Sequence, residues 1–210
     1  MLKGTTPIQE FAVGRVLARG LIQPGDLEKI KNLDFLGVNY YTRTVVKYDP
    51  KFPVVTASQV QPLGNEYSGM WEIYPEGLYE ILMRVWKDYL EPSPLTPPQS
   101  SREENGGRVE LMVTENGIPV PDGLDFDGRV RDERRIRYLK NHIAQVHRAI
   151  LAGVPVKGYF HWSFMDNFEW ALGYGQRFGL VYVDFKTQKR TVKDSGLWFA
   201  KVIREHGCAV

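Results

Sequence analysis

Leu33-Asp34-Phe35-Leu36-Gly37-Val38-Asn39-Tyr40-Tyr41-Thr42 is a near-continuous apolar and aromatic run with a polar end. Such a run reads as a strand buried on both faces, as in parallel sheets. Two further segments share its form. Val109–Thr114 is apolar and closes on Glu115-Asn116-Gly117, and Val156–Trp162 closes on a polar and aromatic loop. Helix patterns separate them. Pro75 opens one in which Leu78, Ile81, Leu82, Val85 and Tyr89 recur at helical spacing before Pro92. Asp132 is placed to cap another, in which Ile136, Leu139, Ile143, Val146 and Ile150 recur before Gly153 ends it. Strand, long loop and helix thus alternate three times, which predicts parallel βα units. The decorated loops all follow the carboxyl ends of strands, where α/β folds build their sites.

The remaining segments are less patterned. Residues 1–20 form at most a marginal helix, interrupted by Gly4, Gly14 and Gly20, and a short helix is expected from Pro24 to Lys31. Residues 43–70 read as one long polar loop, and the Pro-, Ser- and Gly-rich stretch 91–107 as a flexible surface connection. Phe178–Phe185 reads as a short strand or one arm of a hairpin. Asp194 or Ser195 starts a terminal helix with Leu197, Trp198, Val202 and Ile203 as its apolar side. Two parts are expected: a leading segment 1–32, and a βα region 33–210.

At 210 residues the chain is long enough for one good core. Its 27 Lys+Arg against 25 Asp+Glu leave a net charge of +2, too little field to favour nucleic acid or an anionic membrane. No apolar run approaches the ~20 residues of a membrane helix. The one cysteine, Cys208, allows no intrachain disulfide. The start carries no signal-peptide pattern, so a soluble, cytoplasmic chain is expected. None of the four His makes a helical i,i+4 pair, so no metal site is expected. His142 and His147 are expected at the surface and His161 in the core. Arg129 to Arg135 reads as a solvated charge run.

Four groups could carry chemistry: Asn39-Tyr40-Tyr41, Thr114-Glu115-Asn116-Gly117, the stretch from Trp162 to Trp170, and Gln176-Arg177-Phe178-Gly179. Glu115 alone has two open readings, a solvated loop residue or a carboxylate placed for reaction; burying it would demand partners. The 162–170 stretch mixes aromatic rings with Asp166 and Glu169. It suits a sugar, whose C–H face stacks on rings while its hydroxyls hydrogen-bond to fixed polar groups. A buried aromatic corner with satisfied polar groups is the alternative.

Five ordered segments, "DFLGVNYYT", "WEIYPEGLY", "VTENG", "GYFHWSFMDNFEWALGY" and "RFGLVYVDF", resemble glycoside hydrolase family 1, the β-glucosidases and β-galactosidases. The resemblance implies an α/β fold, part of an eight-stranded (β/α)8 TIM barrel, with about three C-terminal βα units matching strands six to eight. It implies that Glu115 is the catalytic nucleophile and Tyr41 the phenol contacting it. Trp162, Glu169 and Trp170 correspond to the binding set for the non-reducing sugar, Phe178 to the pocket wall, Trp71 to the aglycone wall, and Asn39 to support for the Tyr41 corner. No cofactor or metal is implied; the partner is a β-glucoside or related β-glycoside.

The sequence departs from the family in matching none of its first five strands, with the Gln, His, Trp and Arg they would supply to the site, and residues 1–32 match it poorly. No Asn-Glu-Pro motif, which carries the family's acid/base Glu, occurs in this chain. Retaining hydrolysis needs two carboxyl groups about 5–5.5 Å apart. The expectation is therefore a C-terminal portion of a retaining β-glycosidase that is weak or inactive alone. The alternatives are an interaction module, pairing its open strand edges with another copy or an N-terminal half, and a sugar-binding remnant. Glu169, with no Lys in 169–177, further implies an unphosphorylated sugar.

Overall fold

The computed structural model describes Pro24 and residues 33–51, 57–69, 71–90 and 109–207. The expected helices over 1–20 and Pro24–Lys31, and the connection 91–107, lie outside or almost wholly outside these residues.

Strands β1 (Phe35–Asn39), β6 (Glu110–Asn116) and β7 (Val156–His161) form a parallel sheet in the order β1-β6-β7. The βα reading of the alternating segments is thus realised. The two-sided burial of the first strand is not. Val38 is buried, but Phe35, Gly37 and Asn39 on the other side are exposed. Residues 43–70 also differ from a plain loop. They hold an antiparallel hairpin of β2 (Val45–Tyr48) and β3 (Ala57–Val60), and β4 (Tyr67–Ser68), which pairs with β5 (Trp71–Glu72).

Three helices are described: α1 (Glu76–Val85), continued by a wider turn at Trp86–Leu90, then α2 (Glu133–Leu151) and α3 (Asp194–Glu205). Leu78, Leu82 and Trp86 pack against Val38, Leu111, Val113 and Val156 to make the core on one face of the sheet. Gly153, at φ +92°, follows the end of α2 as its sequence required.

Helix α2 is rotated from its expected face. Its buried residues are Arg135, Tyr138, Leu139, His142, Val146 and Ala149, whereas Ile150 is exposed. His142 is therefore a core residue, not a surface one, and Arg135 is fully buried rather than solvated. Asp132 starts α2 without capping it through its side chain; its carboxylate serves Arg135 and Ser195 instead. Helix α3 is less embedded than its apolar residues suggested: Leu197 and Ile203 are exposed, and Phe199 reaches the Tyr159 ring at 6.2 Å. The 178–185 segment resolves as a hairpin arm, β8 (Val181–Val183) pairing antiparallel with β9 (Arg190–Val192).

Candidate active site

The site lies at the carboxyl end of the sheet. Glu115 is the penultimate residue of β6, so it is held by the strand itself and does not sit in a loop. The Tyr40 N–H donates to the Glu115 carbonyl at 2.9 Å, and the Trp162 N–H donates to the Asn116 carbonyl at 3.0 Å. These bonds lock the three strand ends together. Gly117 makes the junction possible, because a Cβ there would lie 1.9 Å from the Trp162 carbonyl oxygen.

The Tyr41 hydroxyl donates to Glu115 Oε2 at 2.6 Å. Burial, then this bond to a carboxylate, raises the phenol pKa well above its ordinary value, so Tyr41 keeps its proton and remains a donor. Its ring meets Trp71 at 5.1 Å, and both meet Phe178, at 6.3 and 5.6 Å. Trp71 is carried by β5, where Glu72 is buried and clamped by Arg43 (2.8 and 2.9 Å) and by Asn65 (2.8 Å).

Across the site, the Trp162 indole N–H donates to Glu169 Oε1 at 3.2 Å. Burial, together with the charge of Glu115, raises the Glu169 pKa, while the indole bond opposes the rise. Trp170 is 83% exposed and faces no wall among the described residues. Asn39 accepts from Thr114 Oγ1 at 2.7 Å. That bond ties β1 to β6, so the expected support of Tyr41 by Asn39 is indirect.

Three groupings were not recognised by sequence reasoning, although Asn116, Asp166 and Arg177 lie in stretches it named. Asn116 is fully buried; it donates to the Tyr40 carbonyl (2.7 Å) and the Tyr138 hydroxyl (2.9 Å), and accepts from Tyr159 (2.6 Å). It is the polar hub directly behind Glu115. The Glu72–Arg43–Asn65 clamp is the second. The third is a buried ionic cluster of Asp122, Asp132, Asp166, Arg135, Arg177 and Lys193. Its charges balance, and its members stand just beyond β6 and β7 and at the starts of α2 and α3. Charged residues at helix starts, in loops that must pack, were the available signal. Among the described residues no set of three or more acidic, His or Cys side chains could hold a metal ion, and no helix is long and apolar enough to cross a membrane.

The sequence model of glycosyl hydrolase family 1 matches residues 18–208. Beta-glucosidase A of Thermotoga maritima is 46% identical over 183 residues, covering 87% of this chain and 37% of that protein. A 6-phospho-beta-galactosidase of Streptococcus equi subsp. zooepidemicus is 36% identical, covering 86% and 40%. The solved family 1 β-glucosidase of Thermotoga maritima superposes with a TM-score of 0.80 at 42% identity, over 99% of this chain and 43% of that one. The chain therefore spans about two-fifths of these relatives, and it belongs to glycosyl hydrolase family 1.

Proposed function

We propose that this chain is the nucleophile-bearing part of a retaining β-glycosidase of β-glucosidase type. Residues 33–210 supply three βα units, corresponding to strands six to eight of the (β/α)8 barrel, and 1–32 form a leading segment. The observation that carries this reading is the 2.6 Å bond from Tyr41 to a strand-held Glu115, with Glu169 held by the Trp162 indole at the end of the next strand. Glu115 attacks the anomeric carbon as the glycosidic C–O bond breaks, the aglycone oxygen leaving with a proton from the acid/base carboxyl; the resulting glycosyl ester is cleaved by water, whose proton returns to that carboxyl. Tyr41 orients the attacking oxygen. Trp162, Glu169 and Trp170 hold the sugar, Phe178 backs the pocket, and Trp71 lies on the leaving-group side. Asn39 keeps the β1 and β6 ends in step.

The acid/base carboxyl comes from the Asn-Glu-Pro motif of the first five barrel strands, in the same polypeptide or in a second one. The partner is thus the N-terminal portion of such a barrel. Phe35 and Phe160, exposed on the open face of the sheet, favour a protein covering over solvent. The sugar is unphosphorylated, because Glu169 would repel a phosphate dianion and no Lys in 169–177 would balance it. The test combines this chain with the N-terminal barrel portion of a family 1 relative. Hydrolysis of an aryl β-glucoside that Glu115→Gln abolishes is expected. Equal activity with Glu115→Gln, or faster hydrolysis of the 6-phospho-glucoside, would overturn the corresponding part.

A further inference from the structure

Two ion pairs stand beneath the site, one under each wall. At the start of α2, Arg135 pairs with Asp132, and both are fully buried. In the loop after β7, Arg177 pairs with Asp166 at 2.5 Å, and Asp166 is fully buried. Asp166 also fixes the base of that loop, accepting from the Gly179 N–H at 3.0 Å. The approach is tight: a Cβ on Gly179 would lie 2.2 Å from the Asp166 nitrogen. Glu169 and Trp162 stand on the stretch that this base anchors.

Lys193, itself fully buried at the start of α3, reaches both sides. Its Nζ lies 2.7 Å from Asp122, in the loop after β6, and 2.8 Å from Asp166. Asp122 in turn pairs with Arg135. Among the described residues Lys193 is the cation that touches a carboxylate from each loop, while Arg135 reaches the second loop only at the Arg177 carbonyl, 2.7 Å away.

We propose that Lys193 is a positioning residue: through Asp122 and Asp166 it couples the two loops and fixes Glu169 in register with Glu115. Lys193 touches no sugar in this arrangement, and the inference rests on the sugar-site reading of Glu169 only for its functional meaning. Its physical content is that Arg135–Asp132 and Arg177–Asp166 balance without Lys193, so Lys193 neutralises Asp122 and, through its second contact with Asp166, ties the two loops in register.

That separation dictates the test. Lys193→Met alone leaves a buried carboxylate short of a partner and is expected to destabilise the fold. The paired variant Lys193→Met/Asp122→Asn removes one charge of each sign and leaves Arg135–Asp132 and Arg177–Asp166 intact. The readout is the Trp162 indole N–H resonance, assigned by its loss in Trp162→Phe. In the unaltered chain its shift is expected to follow protonation of Glu169, its acceptor at 3.2 Å. In the folded paired variant this titration should shrink at least threefold. Amide exchange over 163–178 should quicken at least tenfold, with β6 unchanged. If the paired variant does not fold, Asp122→Ala alone cuts the same bridge while Lys193 keeps Asp166 and Arg135 keeps Asp132, and must give the same signature. An unchanged Trp162 titration with unchanged loop exchange, in whichever variant folds, overturns the proposal. No sugar enters the measurement, so absence of β-glucosidase activity would count against the proposed function alone.

Discussion

The two faces of the parallel sheet behave as different proteins. On one, Val38, Leu111 and Val113 are sealed under Leu78, Leu82 and Trp86. On the other, Phe35 is 46% and Phe160 57% exposed. Strands in an all-parallel sheet ordinarily bury both faces. The contrast separates what holds the chain together from what the chain offers. Stability comes from the helix-covered face. The open face leaves Phe35 and Phe160 exposed, and the strand ends hold the residues of the proposed site.

Truncation on the sealed face should give the largest effect. Leu111→Ala, fully buried, is expected to cost about 2–5 kcal/mol in denaturant-unfolding free energy. A loss below about 1 kcal/mol would show that this face is not the core.

Acid comes next. His142 is buried on the same side, stacked on Tyr138 at 3.8 Å, with Nδ1 2.8 Å from the Tyr138 carbonyl. A carbonyl only accepts, so Nδ1 carries the proton of a neutral ring. Burial lowers the His142 pKa to about 4, below the 6.5 of the unfolded chain. Between these values the unfolded state binds the proton more readily, so the stabilisation is complete above pH 6.5 and is lost as pH falls through 4. A loss of about 3 kcal/mol is expected from this residue. Unfolding curves of His142→Gln should be flatter over that range; parallel curves would contradict the assignment.

The smallest effect belongs to the open face. Phe35→Ser should change the stability of the isolated chain by no more than about 0.5 kcal/mol, yet weaken pairing with an N-terminal barrel portion. A stability loss as large as that of Leu111→Ala would erase the distinction between the faces.

Much of this architecture was legible because strands announce themselves by composition. The three apolar runs found the sheet, and each ended on a residue that reached the site: Tyr41, Glu115 and Trp162. The side reading failed where patterning is ambiguous. On α2 the isoleucines marked one stripe, but the buried face centres on Arg135, Tyr138, Leu139 and His142. Hydrophobicity cannot signal that face, because Arg135 is buried by its partners Asp122 and Asp132, which lie in a loop and at the helix start. The first strand misled in the opposite sense. Its apolar composition fits a sheet covered on both faces, whereas its second face is open among the described residues. Asn116 was named only as part of the Glu115 motif, and its role was missed, since nothing local distinguishes a turn Asn from a buried hub with partners 22, 43 and 76 residues away.

The central claim is that Glu115 is a nucleophile held ready by Tyr41. A 2-deoxy-2-fluoro-β-glucoside with a dinitrophenolate leaving group tests it most directly, because such a leaving group departs without an acid catalyst. Incubated with the chain and an N-terminal barrel portion, it should add one fluoroglucosyl mass to the peptide containing Glu115. Glu115→Gln should abolish the label, and Tyr41→Phe should slow its formation. A label on any other carboxylate, or its persistence in Glu115→Gln, would contradict the account.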